Sequence, residues 1–283
     1  MLPDYVAEHF DRQYAYLYQL TAVAGTGRFA FLVEDEENRV TVLRSSQPEC
    51  RESPNSLAAT LRAAMPADTL LRANYRRVRL SLASLRYSLV PAQLFDPAHA
   101  EAYLRGVAPP KEKESVRYEF LRPLDTYAVY PMETEALDYA AGFFQQVECV
   151  HWASGLLLSA HQQALHAAKP FLQVSFLGRT MHLALFDKGQ LLYNNLFEFQ
   201  GARDALYYVL LVYDRLQLHP ERQPVFLSGE VVPDSEIYRE LVKYVRQVEL
   251  VSKPAYYRFP EPGSGWEIPG HFFRDLYSLK LLD

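Results

Sequence analysis

Three short glycine-bearing segments hold the residue types that could do chemistry here: Gly25-Thr26-Gly27, Leu177-Gly178-Arg179 and Ser228-Gly229-Glu230. Glycine takes the positive φ of a tight turn and lets a ligand come close to backbone amides. Arg179 offers guanidinium donors to a phosphate or carboxylate. Glu230 follows the apolar run Pro224–Leu227. In α/β sheets, ligand sites open just beyond such a buried strand. The plain alternative is that these glycines serve turn geometry alone.

Several familiar chemistries fail on spacing. The run Gly25-Thr26-Gly27-Arg28-Phe29-Ala30 fits the dinucleotide fingerprint in form, but that motif works only where a strand feeds a helix. The residues that follow, FAFLVEDEEN, predict a strand and a turn, so a hairpin is expected. A nucleophile elbow needs glycine two residues to each side of the serine, and Ser228 has Phe226 and Glu230 there. His161 and His166 are five apart, which separates them around a helix, and His151 and His182 suit satisfied packing as readily as catalysis. Cys50 and Cys149 form no metal or redox spacing. No metal site is expected.

Composition narrows the partners. The 283 residues are 49% hydrophobic and 22% charged, with a net charge of −5. That balance disfavours nucleic acid, whose binding needs a clustered positive surface. Arg72 to Arg79 is a local basic run, alternating with apolar residues as a solvated strand face would. Met1–Tyr14 has neither a basic leader nor an apolar core, so no secretory signal is expected. No stretch approaches the roughly 20 apolar residues of a membrane helix. With no disulfide required, a reducing cytoplasm is the expected location.

The elements that must position the glycine turns are clearest in the second half. Strands are predicted at Phe171–Phe176, Thr180–Phe186 and Leu191–Phe197, alternating with period two. A helix over Ala202–Leu218 carries Leu206, Val209, Leu210, Tyr213 and Leu216 on one stripe. A strand at Pro224–Leu227, a helix at Ser235–Arg246 capped by Ser235, and a strand at Val248–Val251 follow. The loop Pro260–Gly270 leads to a last helix, His271–Leu282. The first half reads as strands at Tyr14–Val23, Phe29–Val33 and Val40–Arg44, then a helix at Asn55–Met65 stopped by Pro66. After it come a strand at Arg77–Leu82, a helix at Pro97–Arg105, one or two strands in Val116–Tyr130, and a helix at Glu133–Gln145. A strand at Val147–Val150 and a helix at Trp152–Ala168 complete it. The expected domains are residues 1–168 and 169–283.

Three antiparallel strands followed by alternating helices and strands, duplicated in one chain, resemble the actin-like ATPase superfamily. Actin, the Hsp70 chaperones, sugar kinases and pilus and cell-division proteins belong to it. Within it, the chain resembles an uncharacterised bacterial family. The likeness is carried by FLGRTMHLALFDKGQLLYNN, RDALYYVLLVYDRL and VFLSGE. The fold class implied is mixed α/β, with two actin-like, RNase H-like βββαβαβα domains and an interdomain cleft.

By the same resemblance, ATP with Mg²⁺ would sit between the domains, its phosphates held by the first hairpin turn of each. The residues implied are Gly25, Thr26, Gly27, Gly178, Arg179, Ser228, Gly229 and Glu230. Family members place aspartate, any residue, glycine at those turns, because hard Mg²⁺ requires oxygen ligands. Here the turns read Val23-Ala24-Gly25 and Ser175-Phe176-Leu177-Gly178, with no acid in register, and Gly229 stands alone where a glycine pair is expected. RNase H-like nuclease chemistry fails likewise, since neither Phe171–Leu177 nor Tyr14–Val23 contains an acid. No catalytic residue and no cofactor are therefore expected, and the chain reads as a pseudo-ATPase. Its expected role is a binding or scaffold protein, with a protein partner and room for self-association. Aromatic residues, 13% of the chain, suit such contacts. The alternatives are a divergent ATP-binding protein or ATPase, or a small-molecule phosphotransferase.

Overall fold

The first apolar runs pair as their alternation requires. The strands are β1 (Asp4–Val6), β2 (Gln19–Gly25), β3 (Arg28–Glu34), β4 (Val40–Ser46) and β5 (Arg77–Leu82). Four more follow: β6 (Ser88–Pro91), β7 (Glu114–Leu121), β8 (Thr126–Glu133) and β9 (Glu148–His151). This is a computed structural model, and it describes residues 4–25, 27–50, 56–261, 266 and 268–283. One sheet runs β1-β4-β3-β2-β5-β9 and a smaller one β6-β8-β7. β2, β3 and β4 are antiparallel neighbours, whereas β5 and β9 join in parallel.

Helices α1 (Leu57–Ala64) and α2 (Thr134–Phe143) belong to this first part. Ser56 caps α1 by accepting the Ala59 amide at 3.2 Å, and its hydroxyl donates to Glu133 Oε1 at 2.7 Å. Leu57, Ala58 and Leu61 are buried. Pro66 sits in a 3-10 turn, Met65–Ala67, that ends the helix. Asn55, the expected first residue, lies outside the described residues.

The second half begins within α3 (Trp152–Ala164) and continues through β10 (Phe171–Leu177), β11 (Thr180–Asp187) and β12 (Gln190–Glu198). Then come α4 (Ala202–Arg215), β13 (Val225–Gly229), α5 (Glu236–Leu241), β14 (Val248–Leu250) and α6 (Arg274–Ser278). Their sheet runs β12-β11-β10-β13-β14. It repeats the order β4-β3-β2-β5-β9 strand for strand. In the β11–β12 hairpin, Lys188 and Gly189 take φ of 48° and 80°, the pair of positive angles a two-residue turn uses to match strand twist.

One face of this sheet, including Leu172, Val174, Leu183 and Leu227, packs with Leu206, Val209 and Tyr213 of α4. Each fully buried aliphatic side chain contributes roughly 1.5–3 kcal/mol. Leu216, expected on the same stripe, is exposed because α4 ends at Arg215.

By contact density the chain divides into two units. The first is Met1–Leu121, Asp125–Ser154 and Pro254–Ile268; the second is Arg122–Leu124, Gly155–Lys253 and Pro269–Asp283. Among the described residues, no helix is long and apolar enough to cross a membrane.

Several expected elements change. The strand expected from Tyr14 starts at Gln19, because Asp11 accepts the Gln13 amide at 2.8 Å and caps a 3-10 turn over Arg12–Leu17. Tyr14 and Tyr16 are exposed there. Pro97–Leu104 is 3-10 rather than α, with a break at His99. Val116–Tyr130 supplies two strands, β7 and β8. The helix expected over Ser235–Arg246 keeps its Ser235 cap, with the Tyr238 amide at 3.2 Å, but ends at Leu241. The last helix covers only Arg274–Ser278 before a 3-10 turn. β1 and β6 had no counterpart in the sequence reading. Arg79 is no solvated residue: it is buried and bound to Glu148.

Candidate functional site

The glycine turns fall where hairpin geometry puts them. Gly25 ends β2 opposite Arg28, and Gly27 takes φ 69° with its amide 3.4 Å from Thr60 Oγ1. Thr26 lies outside the described residues. A side chain added at Gly27 would meet nothing within 4 Å. In the second unit Leu177 pairs with Thr180, so Gly178 and Arg179 form the turn. Gly178 has φ 56° and equally open surroundings, and Arg179 is exposed.

Ser228, Gly229 and Glu230 end β13, which lies parallel to β10 with Gly229 opposite Phe176. The structure therefore brings these three near Gly178 and Arg179 within one sheet. Their surroundings differ. Ser228 is fully buried, donating to Ser175 Oγ at 2.7 Å and accepting from Gln173 Nε2 at 3.3 Å. Gly229 takes φ 92°, and a Cβ there would lie 2.0 Å from the Phe176 carbonyl oxygen. Its amide donates to the His271 carbonyl at 2.8 Å. Close backbone packing thus explains this glycine. Glu230 is exposed.

The strand ends do not fit Mg²⁺. β2 closes on Val23-Ala24-Gly25 and β10 on Ser175-Phe176-Leu177, which offer no carboxylate for a hard cation. Among the described residues, no group of three or more His, Cys, Asp or Glu could hold a metal.

One residue that the sequence reading passed over stands out. Glu119 of β7 turns its carboxylate inward, where Oε2 accepts the Tyr130 hydroxyl at 3.0 Å. The His151 amide lies 3.2 Å from Oε1, and the Ser154 hydroxyl is beside it. Burial outweighs these donors and pushes the Glu119 carboxyl up to about 7. Since Ala24, Leu82 and His151 are aligned across β2, β5 and β9, Glu119 stands at the carboxyl end of the parallel strands. No spacing signal marks it, because its partners come from β8, β9 and α3.

His151 and His182 are both buried and hydrogen-bonded. His151 Nε2 donates to the Ser84 carbonyl at 2.8 Å while Nδ1 accepts the Ala153 amide at 3.3 Å, which fixes a neutral tautomer. His182 Nε2 donates to Asn194 Oδ1 at 2.7 Å, and burial draws its pKa down to about 4.

Comparison with known proteins agrees with the repeated strand order. A Bacteroides thetaiotaomicron protein described as having an actin-like ATPase fold and unknown function superposes with a TM-score of 0.77. It is 22% identical over 86% of this chain and 93% of its own. The type IV pilus biogenesis complex of PilM and PilN provides a match with a TM-score of 0.60, 16% identical over 94% and 98%. The ethanolamine utilization protein EutJ of Carboxydothermus hydrogenoformans gives 0.50, 11% identical over 94% and 90%. No functionally curated protein matches. The family model described as "Protein of unknown function (DUF3822)" matches residues 7–248. The chain has the mixed α/β fold of the actin-like ATPases and belongs to the DUF3822 family.

Proposed function

We propose that this chain is a non-catalytic actin-like-fold protein, a binding or scaffold partner that works without ATP turnover. The observation that carries this reading is the pair of acid-free strand ends, Val23-Ala24-Gly25 and Ser175-Phe176-Leu177. A hydrated Mg²⁺ needs oxygen ligands there, and without it the charge developing on a transferred phosphoryl group lacks its main stabiliser. The close packing at Gly229 supports the same reading, since that glycine is accounted for without a ligand. A protein partner is the proposed ligand, as PilM is described in a complex with PilN. The two free thiols, Cys50 and Cys149, accord with a cytoplasmic setting.

A second reading, a divergent nucleotide-binding protein or phosphotransferase, draws on one observation. Gly27 and Gly178 are open turns with positive φ, and such backbone can approach an anion. Calorimetry with ATP and Mg²⁺, together with a hydrolysis assay, separates the two. The expected result is neither binding nor turnover. Hydrolysis that persists through purification and is lost in Gly178→Val would overturn the non-catalytic reading.

A further inference from the structure

The basic run at Arg72–Arg79 lines a groove that the glycine turns do not explain. A cavity of about 670 Å³ opens in the first unit between residues 71–78 and residues 143–148. It lies at the amino ends of β5 and β9, opposite the strand ends considered above. Arg72, Arg76 and Arg77 line it, against Glu148 as the one acid of its wall among the described residues.

Arg72 and Arg76 are the cations of this groove least held by acids among the described residues. Arg77 Nη2 and Arg79 Nη2 both bind Glu148 Oε2, at 2.8 and 2.9 Å. Arg76 reaches Glu36 at 3.1 Å, a pair exposed on both sides and therefore weak. Arg72 is exposed and makes no ion pair among the described residues.

We propose that this groove binds an acidic, extended segment of a partner protein. The inference rests on the reading of the chain as a binding protein and adds the chemistry of what it binds. Guanidinium forks match carboxylates in bidentate geometry. Asn74, Gln145 and Gln146 also line the groove, and each side-chain amide has the donor and the acceptor that a peptide backbone requires. Phe143 adds half-buried apolar surface for a side chain between the acids. Among the described residues the wall contains no glycine, so they do not form the glycine-rich amide cradle that phosphates favour. That favours a peptide over a free phosphate.

Fluorescence anisotropy with a labelled glutamate-rich octapeptide tests this, using the full chain at low and high salt. The wild type should bind at low salt and weaken as salt is added, because the contacts are screened charges. Arg72→Glu and Arg72→Glu/Arg76→Glu should each reduce affinity, the double variant about tenfold or more. Arg72 is exposed and makes no ion pair among the described residues, so the single variant keeps the test sound if the double one misfolds. Equal affinity of wild type and Arg72→Glu, no wild-type binding at low salt, or tighter binding of inorganic tripolyphosphate than of the peptide would each overturn the proposal. ATP turnover would instead remove the non-catalytic reading and leave the affinities unchanged.

Discussion

The Glu119 carboxylate accepts the backbone amide of His151, 3.2 Å from Oε1 and 3.3 Å from Oε2, one residue before α3 begins. A half-buried acid on β7 thereby ties the smaller sheet to the last strand of the larger one and satisfies an amide at a helix start. Such amides have no partner within the helix and must find one elsewhere. His151 is held in place on its other side by Ser84 and by stacking on Tyr87 at 4.7 Å.

This contact makes the first unit sensitive to pH. Folded Glu119 keeps its proton to about pH 7, whereas an ordinary carboxyl releases it near 4.5. The folded state binds the extra proton between those values, so this stabilisation is complete below 4.5 and is lost as pH rises through 7. The difference is roughly 3 kcal/mol. Trp152 and Trp266 both lie in the first unit, so tryptophan fluorescence follows its unfolding. The urea midpoint it reports should fall from pH 4.5 to 7 in the wild type and stay level in Glu119→Gln.

The second unit should respond in the opposite sense. Folded His182 stays neutral down to about pH 4, while an ordinary ring protonates near 6.5. Its stabilisation is complete above 6.5 and is lost as pH falls toward 4, again by roughly 3 kcal/mol. Burial lowers His161 and His271 in the same direction. Hydrogen exchange of the β10 and β11 amides should therefore speed up on acidification, once corrected for intrinsic rates. His182→Gln should weaken that trend.

Two glycines of the second unit should differ in their tolerance of alanine. At Gly229 a methyl group would stand 2.0 Å from the Phe176 carbonyl oxygen at φ 92°, so Gly229→Ala should destabilise by about 3 kcal/mol or more. At Gly178 the space is open and only the left-handed backbone resists, so Gly178→Ala should cost about 1–2 kcal/mol. Thermal melts of the two variants make the comparison, and equal losses would contradict it.

Gly155 sets the approach of α3 to α6. An added Cβ would meet Ser278 Oγ at 2.8 Å and Ser278 backbone carbon at 2.9 Å. Gly155→Ala should destabilise by about 2 kcal/mol despite alanine's better helix propensity. Increased proteolysis near the C-terminus would accompany the loss if α6 detaches.

The cap of α1 depends on a residue 77 positions away in sequence, since Glu133 receives the Ser56 hydroxyl at 2.7 Å and the Leu57 amide at 3.0 Å. Glu133→Ala should lower stability by about 1 kcal/mol, read as a shift in the urea midpoint. A loss no larger than that of Glu112→Ala, an exposed acid with no helix to cap, would remove this role.

Local pattern by itself determined the hairpins and their followers. Period-two alternation from Phe171 to Phe197, glycine at 178 and 189, and the amphipathic stripe of α4 are local signals, and the strands and helix formed where those signals lay. The missing acids at the β2 and β10 ends were equally legible, because they depend on residue identity and register alone. Tertiary structure decided the rest. Tyr14–Tyr18 alternates like a strand, yet Asp11 captures it into a 3-10 turn. Arg79 looked like a surface cation until β9 brought Glu148 beside it. Ser228 stood among the residues implied for a ligand, yet Ser175 and Gln173 of β10 enclose its hydroxyl. Glu119 carried no motif, and only the meeting of β7, β8, β9 and α3 buried its carboxylate and raised its pKa. Burial and partner choice are sums over residues distant in sequence, and no local period contains them.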